Sequence, residues 1–97
     1  MARIELAPEI IEDFDRIIDH LERHEARNIG ARLRAIIAAI DILERNPLIG
    51  RPTVREIREL IIGRDARGYI SLYRYLPELD TVLVLAIRGQ REAGYAR

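Results

Sequence analysis

The apolar residues of this chain change their period near its middle, and that change limits the folds open to it. Between Ile10 and Leu43 they recur every three or four positions, which predicts two amphipathic helices. After Pro47 they fall in short runs bounded by turn residues, which indicates strands. Helices followed by successive strands are typical of an α+β domain.

The helical stripes define a hairpin of two helices. The first helix is expected to begin at Pro8, and the second to span residues 26–45 before Asn46 and Pro47 end it. Because the join is short, the two helices should be antiparallel. We expect Ile37 to face inward, so that Ile37→Asp would be severely destabilising. The expected inner residues are Ile10, Phe14, Ile17, Ile18, Leu21, Ile29, Leu33, Ile36, Ile37, Ile40 and Leu43.

The strands predict an antiparallel meander after the helices. A short strand around Ile4 and Leu6 comes first, and further strands are expected at 57–62, 68–76 and 81–88. The run from Val82 to Ile87 has no polar alternation, which indicates a central strand. In the strand before it, Ile70 and Leu72 should face the helices, while the tyrosines form a partly wet face that either packs on the sheet or stacks bases.

Length and composition favour one α+β domain, 1–97, with the order β-α-α-β-β-β and the helical hairpin on one face of the sheet. Cysteine is absent, which excludes disulfides and a thiolate nucleophile. The amino terminus has no apolar signal-peptide core, and no apolar run is long enough for a bilayer. We therefore expect a cytoplasmic protein without a membrane partner.

All 16 basic residues are arginine, and they balance 16 acidic residues. Without lysine, a lysine general base is excluded, and ionic contacts depend on planar, permanently charged guanidinium groups. The carboxy-terminal half is the more basic one. This balance argues against general coating of DNA, which requires an excess of positive charge.

Four arginines on or next to the predicted strands form the candidate site, and we expect the meander to bring them to one side. A cluster of guanidinium groups binds phosphate or carboxylate bidentately. Alternatively, each forms a local salt bridge to Glu56, Glu59 or Glu92. Tyr95 adds an aromatic ring in a polar tail. The candidate binding residues are Arg58, Arg74, Arg88, Arg91 and Tyr95.

The two histidines, His20 and His24, lie one helical turn apart. This spacing suits two metal ligands, but the remaining ligands of a site are missing, so we interpret the pair as partners of the helix dipole. We expect no metal and no cofactor. The arginines also have no histidine nearby to transfer protons.

Several segments, in their order, resemble toxins of the ParE/RelE superfamily from bacterial type II toxin-antitoxin systems. They are Leu6-Ala7-Pro8-Glu9, Asn46-Pro47-Leu48-Ile49-Gly50-Arg51-Pro52, Arg58-Glu59-Leu60, Gly68-Tyr69, Leu72-Tyr73-Arg74-Tyr75 and Arg88-Gly89-Gln90-Arg91-Glu92. The resemblance implies a helical hairpin on an antiparallel sheet. It also implies a cognate antitoxin, of ribbon-helix-helix type, in a hetero-oligomer with the toxin, and roles in growth arrest and plasmid stabilisation.

Two activities occur in the superfamily that the chain resembles. RelE-like members cleave mRNA on the ribosome, and ParE-like members inhibit DNA gyrase. For cleavage, the resemblance leaves a reduced set of candidate catalytic residues, namely Glu59, Arg74, Arg88, Arg91 and Tyr95. The chain has no lysine, and it has Gly89 where many relatives have histidine. We therefore expect gyrase inhibition by binding, with mRNA cleavage as one alternative and a non-toxic antitoxin-binding module as another.

Overall fold

The computed structural model describes residues 1–24, 26–63 and 68–89, which form two helices and a five-stranded sheet. The helices are α1 (Glu9–Arg23) and α2 (Ile29–Asp41). The strands are β1 (Arg3–Leu6), β2 (Arg51–Pro52), β3 (Arg58–Ile62), β4 (Tyr69–Leu76) and β5 (Thr81–Gly89). Within these residues no helix combines the length and apolar composition needed to cross a bilayer.

The sheet has the order β1-β5-β4-β3-β2. Strands β2 to β5 pair antiparallel, and β1 pairs parallel with β5, so the sheet is mixed. The predicted α+β fold with both helices on one face is confirmed, and β5 is central as its apolar run indicated. Strand β2 was not predicted, because two residues, one of them Pro52, carry no strand periodicity.

The core lies between the helices and one face of the sheet, which we call the helical face. From α1 it takes Ile10, Ile17 and Leu21, each at most 5% exposed, as the first apolar stripe predicted. The core cluster also includes Ile36, Ile40, Leu43, Ile62, Tyr73, Val82, Val84 and Ile87. We call the opposite side of the sheet the outer face.

Helix α2 is shorter than predicted and faces the core differently. It begins after Asn28, whose left-handed backbone (φ 59°) interrupts the helix, and after Asp41 it tightens into a 3-10 turn. The prediction that Ile37 is buried was wrong, since Ile37 is 50% exposed while Ile36 is 1% exposed. Consecutive residues of a helix are 100° apart, so once Ile36 and Ile40 face the core, Ile37 lies at its margin.

The prediction for the two faces of β4 was also wrong. Tyr73 is fully buried in the core cluster, and Tyr69 and Tyr75 pack against the same cluster. The aromatic face is therefore the helical face, while Ile70, which is only 4% exposed, and Leu72 lie on the outer face. Leu72 pairs with Ala86 and Tyr73 pairs with Val84, so Leu85 is an extra residue that forms a bulge in β5. The bulge changes the alternation of side chains along β5, and both ends of the strand therefore direct apolar side chains toward the helices.

Candidate functional site

The outer face brings together two of the predicted arginines and the predicted carboxylate. Arg88 pairs with Ile70, Glu59 pairs with Leu72, and Arg74 follows two residues later on the same strand. Because directly paired residues share a face, all three side chains lie on the outer face. Arg74 is four residues from Ile70 along β4, which places its backbone about 13 Å along the strand from the position paired with Arg88.

Arg58 does not belong to that group, and the expectation of one shared side was wrong for it. Arg58 pairs with Tyr73 and therefore lies on the helical face. Its guanidinium donates hydrogen bonds to the carbonyls of Leu48 (3.0 Å) and Gly50 (2.7 Å). This side chain fixes the backbone of the preceding loop. Arg91 and Tyr95 lie outside the described residues.

Glu59 is 8% exposed and is held by an ion pair across the sheet edge. Both the Nε and Nη2 atoms of Arg51 donate to Glu59 Oε1, with Nε at 3.1 Å. The two residues are directly paired between β2 and β3. The Glu59 carboxylate is therefore engaged within the protein, and its burial limits the access of a substrate to it.

Arg74 is held only weakly by its ion-pair partner. Its Nη2 atom is 3.9 Å from Glu56 Oε1, at the limit of an ion pair, and both side chains are well exposed. The Nε atom is buried and has no hydrogen-bond partner within the described residues. Arg74 therefore retains guanidinium donors for an external anion, as does the exposed Arg88.

Tyr73 has a structural role instead of the base-stacking role considered from the sequence. Its hydroxyl accepts a hydrogen bond of 2.8 Å from the backbone N–H of Gly50. Burial raises the pKa of the Tyr73 phenol above 10.0, against the opposing effects of this hydrogen bond and the charge of Arg58. Tyr73 therefore stays neutral and links β4 to the loop before β2.

Asp13 and Arg16 on α1 form a contact that the sequence analysis missed. Strand β1 ends opposite Val84, so it has no residue to pair with Ile87. The Oδ2 atom of Asp13 accepts from the N–H of Ile87 (2.9 Å), and Arg16 Nη2 donates to its carbonyl (3.0 Å). The two side chains, themselves bonded at 2.9 Å, replace a strand partner for β5. The sequence signal for this contact was the position of Asp13 on the apolar stripe of α1, one helical turn from both Ile10 and Ile17.

Asp13→Ala is expected to lower the free energy of unfolding by about 1–3 kcal/mol, because it leaves the N–H of Ile87 without an acceptor. The measurement is denaturant unfolding of the purified protein. Asp19→Ala is the matched control, since Asp19 forms an exposed pair with Arg23 one turn further along the helix. That loss should be about 0.5 kcal/mol or less, and equal losses would contradict the role assigned to Asp13.

The histidine pair is separated from the outer-face arginines by the sheet. The ring centroids of His20 and His24 are 4.3 Å apart with the rings tilted by 37°, and His24 Nδ1 contacts the carbonyl of His20 (2.9 Å). Both lie at the end of α1, in the helical layer, whereas Arg74 and Arg88 lie on the outer face. The pair does not contribute a proton donor or acceptor to the outer face.

Solved toxin structures share this architecture. A chain of the chromosomal ParDE system from Pseudomonas aeruginosa aligns with a TM-score of 0.74 and 20% identity, covering 92% of this chain and 96% of its own. A chain of the RelBE2 toxin-antitoxin complex from Mycobacterium tuberculosis aligns with a TM-score of 0.61 and 23% identity, covering 91% and 96%. A chain of the Escherichia coli RelBE complex gives 0.57 and 12%, covering 92% and 96%. These likenesses define the class of fold, that of the ParE/RelE toxins.

The sequence assigns the family within that class. The family model for the ParE toxin of the type II toxin-antitoxin system parDE matches residues 4–94, nearly the whole chain. The chain therefore belongs to the ParE toxin family, and it is a toxin of the type II toxin-antitoxin kind. No curated protein matches the sequence significantly.

Proposed function

We propose that this toxin arrests growth by binding DNA gyrase and that a cognate antitoxin of ribbon-helix-helix type neutralises it. The observation that carries the choice of gyrase over mRNA cleavage is the engagement of Glu59 within the protein. This residue is the carboxylate of the reduced catalytic set, and it is buried and bonded to Arg51. Inhibition by binding requires no such proton acceptor, whereas cleavage of RNA does.

The outer face supports the second half of the proposal, the docking of an antitoxin. No described helix covers it, and Ile61 (49% exposed) and the partly exposed Leu72 lie beside Arg74 and Arg88. A surface that alternates apolar side chains with guanidinium groups fits an amphipathic, acidic peptide segment. The charges of this face favour an acidic segment of the antitoxin, and such a segment could become ordered when it binds.

The test of the gyrase assignment uses purified gyrase with supercoiled and relaxed plasmid. The free toxin is expected to inhibit supercoiling or to increase linear plasmid in the presence of gyrase, and the purified antitoxin should abolish both effects. Unchanged gyrase products together with codon-specific mRNA cleavage in a translation extract would instead establish the endonuclease. A chain that binds antitoxin and leaves growth unaffected would be a non-toxic binding module.

The test of the docking face uses a charge-removing pair of substitutions. Arg74→Ala combined with Arg88→Ala should weaken antitoxin binding by about tenfold or more, with the larger effect at low salt. Arg23→Ala is the control, because Arg23 is an exposed arginine on α1, away from the outer face. If both proteins bind the antitoxin with the affinity of the parent, the outer face is not its docking surface.

A further inference from the structure

The segment between Asn46 and Ile57, which we call the 46–57 loop, exposes apolar side chains that the fold does not use. Leu48 is 58% exposed, Ile49 is 57% exposed and Val54 is 73% exposed. Exposed apolar side chains gathered in one loop are typical of a surface that contacts another protein.

The backbone of the 46–57 loop is held in place from behind. Arg58 donates to the carbonyls of Leu48 and Gly50, and the Tyr73 hydroxyl accepts from the N–H of Gly50. Further along, the N–H and the hydroxyl of Thr53 both donate to the carbonyl of Ile57, at 2.8 and 2.7 Å. A loop fixed at both ends loses little conformational entropy when it binds, which favours affinity.

Two consecutive residues of this loop have left-handed backbones although neither is glycine. Arg55 has φ 57° and ψ 32°, and Glu56 has φ 63°. Their side chains are exposed, and in the described structure neither fills a core site. Strain of this kind persists where the surrounding contacts impose it, and it concentrates at binding sites.

The charges of the loop indicate the chemistry of its partner. Arg45 and Arg55 are exposed, and Glu56 is the one exposed acid of residues 45–56, while the charge of Arg51 is balanced by its ion pair with Glu59. An apolar surface with an excess of guanidinium groups fits a protein surface that is apolar at its centre and acidic at its rim. A nucleic-acid backbone would leave Leu48 and Ile49 without an apolar partner, so the residue types favour a protein.

The apolar part of the loop is anchored from the helical face, and the loop meets the outer face at two points, where Arg51 bonds to Glu59 and Glu56 approaches Arg74. Its anchors, Arg58 and Tyr73, lie on the helical face, whereas Arg74 and Arg88 lie on the other side of the sheet. We propose that the 46–57 loop contacts the protein that this toxin inhibits, on an acidic-rimmed apolar surface, through Leu48, Ile49 and Val54 and not through the antitoxin-binding Arg74 and Arg88. This inference rests on the proposed function, in which toxicity results from binding a protein target.

The experiment compares polar substitutions in the loop with the same change at equally exposed sites elsewhere. The test proteins are Leu48→Ser with Ile49→Ser, and Val54→Ser. The control proteins are Ile11→Ser and Leu79→Ser, whose parent side chains are 70% and 68% exposed on α1 and on the β4–β5 turn. Each is assayed for growth arrest, for inhibition of purified gyrase, for binding to gyrase without DNA, for antitoxin affinity and for melting temperature.

Half-inhibition of gyrase is expected to require a concentration of each loop variant at least about tenfold higher than that of the parent. The antitoxin affinity of these variants should stay within about twofold of the parent. The control variants should match the parent in every assay. Loop variants as potent as the parent would overturn the inference, as would loss of antitoxin binding together with potency, or binding to gyrase that requires DNA. A parent that neither arrests growth nor affects gyrase would instead refute the proposed function.

Discussion

Gly50→Val is expected to lower the free energy of unfolding by about 3 kcal/mol or more, because the site has no space for a side chain. A Cβ atom at Gly50 would lie 2.6 Å from the Tyr73 hydroxyl oxygen, 2.7 Å from Tyr73 Cε1 and 3.0 Å from the carbonyl oxygen of Glu59. The ring of Tyr73 is fully buried and cannot move aside. The change would also displace the N–H that donates to the Tyr73 hydroxyl.

Gly30→Ala is the control for this prediction, since it tests whether any added side chain destabilises the protein. Gly30 lies in α2, and a Cβ atom there would meet the mobile end of Arg34, with Nη1 at 3.2 Å. Alanine favours the helix over glycine, so stability should rise by about 0.5 kcal/mol. Thermal and denaturant unfolding measure both variants. A Gly50→Val protein as stable as the parent would show that Tyr73 is not fixed as described.

Ile36→Asp is expected to lower the free energy of unfolding by about 4 kcal/mol or more, enough to prevent folding of a domain of this size. Ile36 is 1% exposed in the core beneath the helices, and a carboxylate there would have neither water nor a cation. The expected readout is loss of the cooperative unfolding transition, measured by circular dichroism against temperature.

Ile37→Asp provides the comparison, because it introduces the same charge at the next residue of α2. Ile37 is 50% exposed, so the carboxylate can remain hydrated, and the loss should be about 1 kcal/mol or less. The substitution that the sequence alone marked as severe is therefore expected to be mild. Equal losses at the two positions would mean that α2 is rotated about its axis from the orientation described.

The sequence predicted the fold wherever one apolar pattern allowed one arrangement. The stripe through Ile10 and Ile17 had a single face to bury, and the unbroken run from Val82 to Ile87 indicated a strand with a neighbour on each side. Both predictions were confirmed. The parallel pairing of β1 with β5 was not foreseen, because a strand period identifies the buried side of a strand but not its neighbour.

The candidate site was predicted less well, because it depends on strand register. Arg58 pairs with Tyr73, one residue before Arg74, and a shift of one position reverses the face of a side chain. No sequence pattern specified that register. The strain at Arg55 was likewise invisible, since an arginine carries no preference for a left-handed backbone.

The parallel pairing of β1 with β5 determines when a nascent chain can complete its sheet. Arg3 pairs with Thr81, so the strand made first must wait for the strand made last of the five. Closing so long a loop is slow, and it cannot begin while β5 is still inside the ribosomal exit tunnel. Synthesis of the chain and completion of its sheet are thus separated in time.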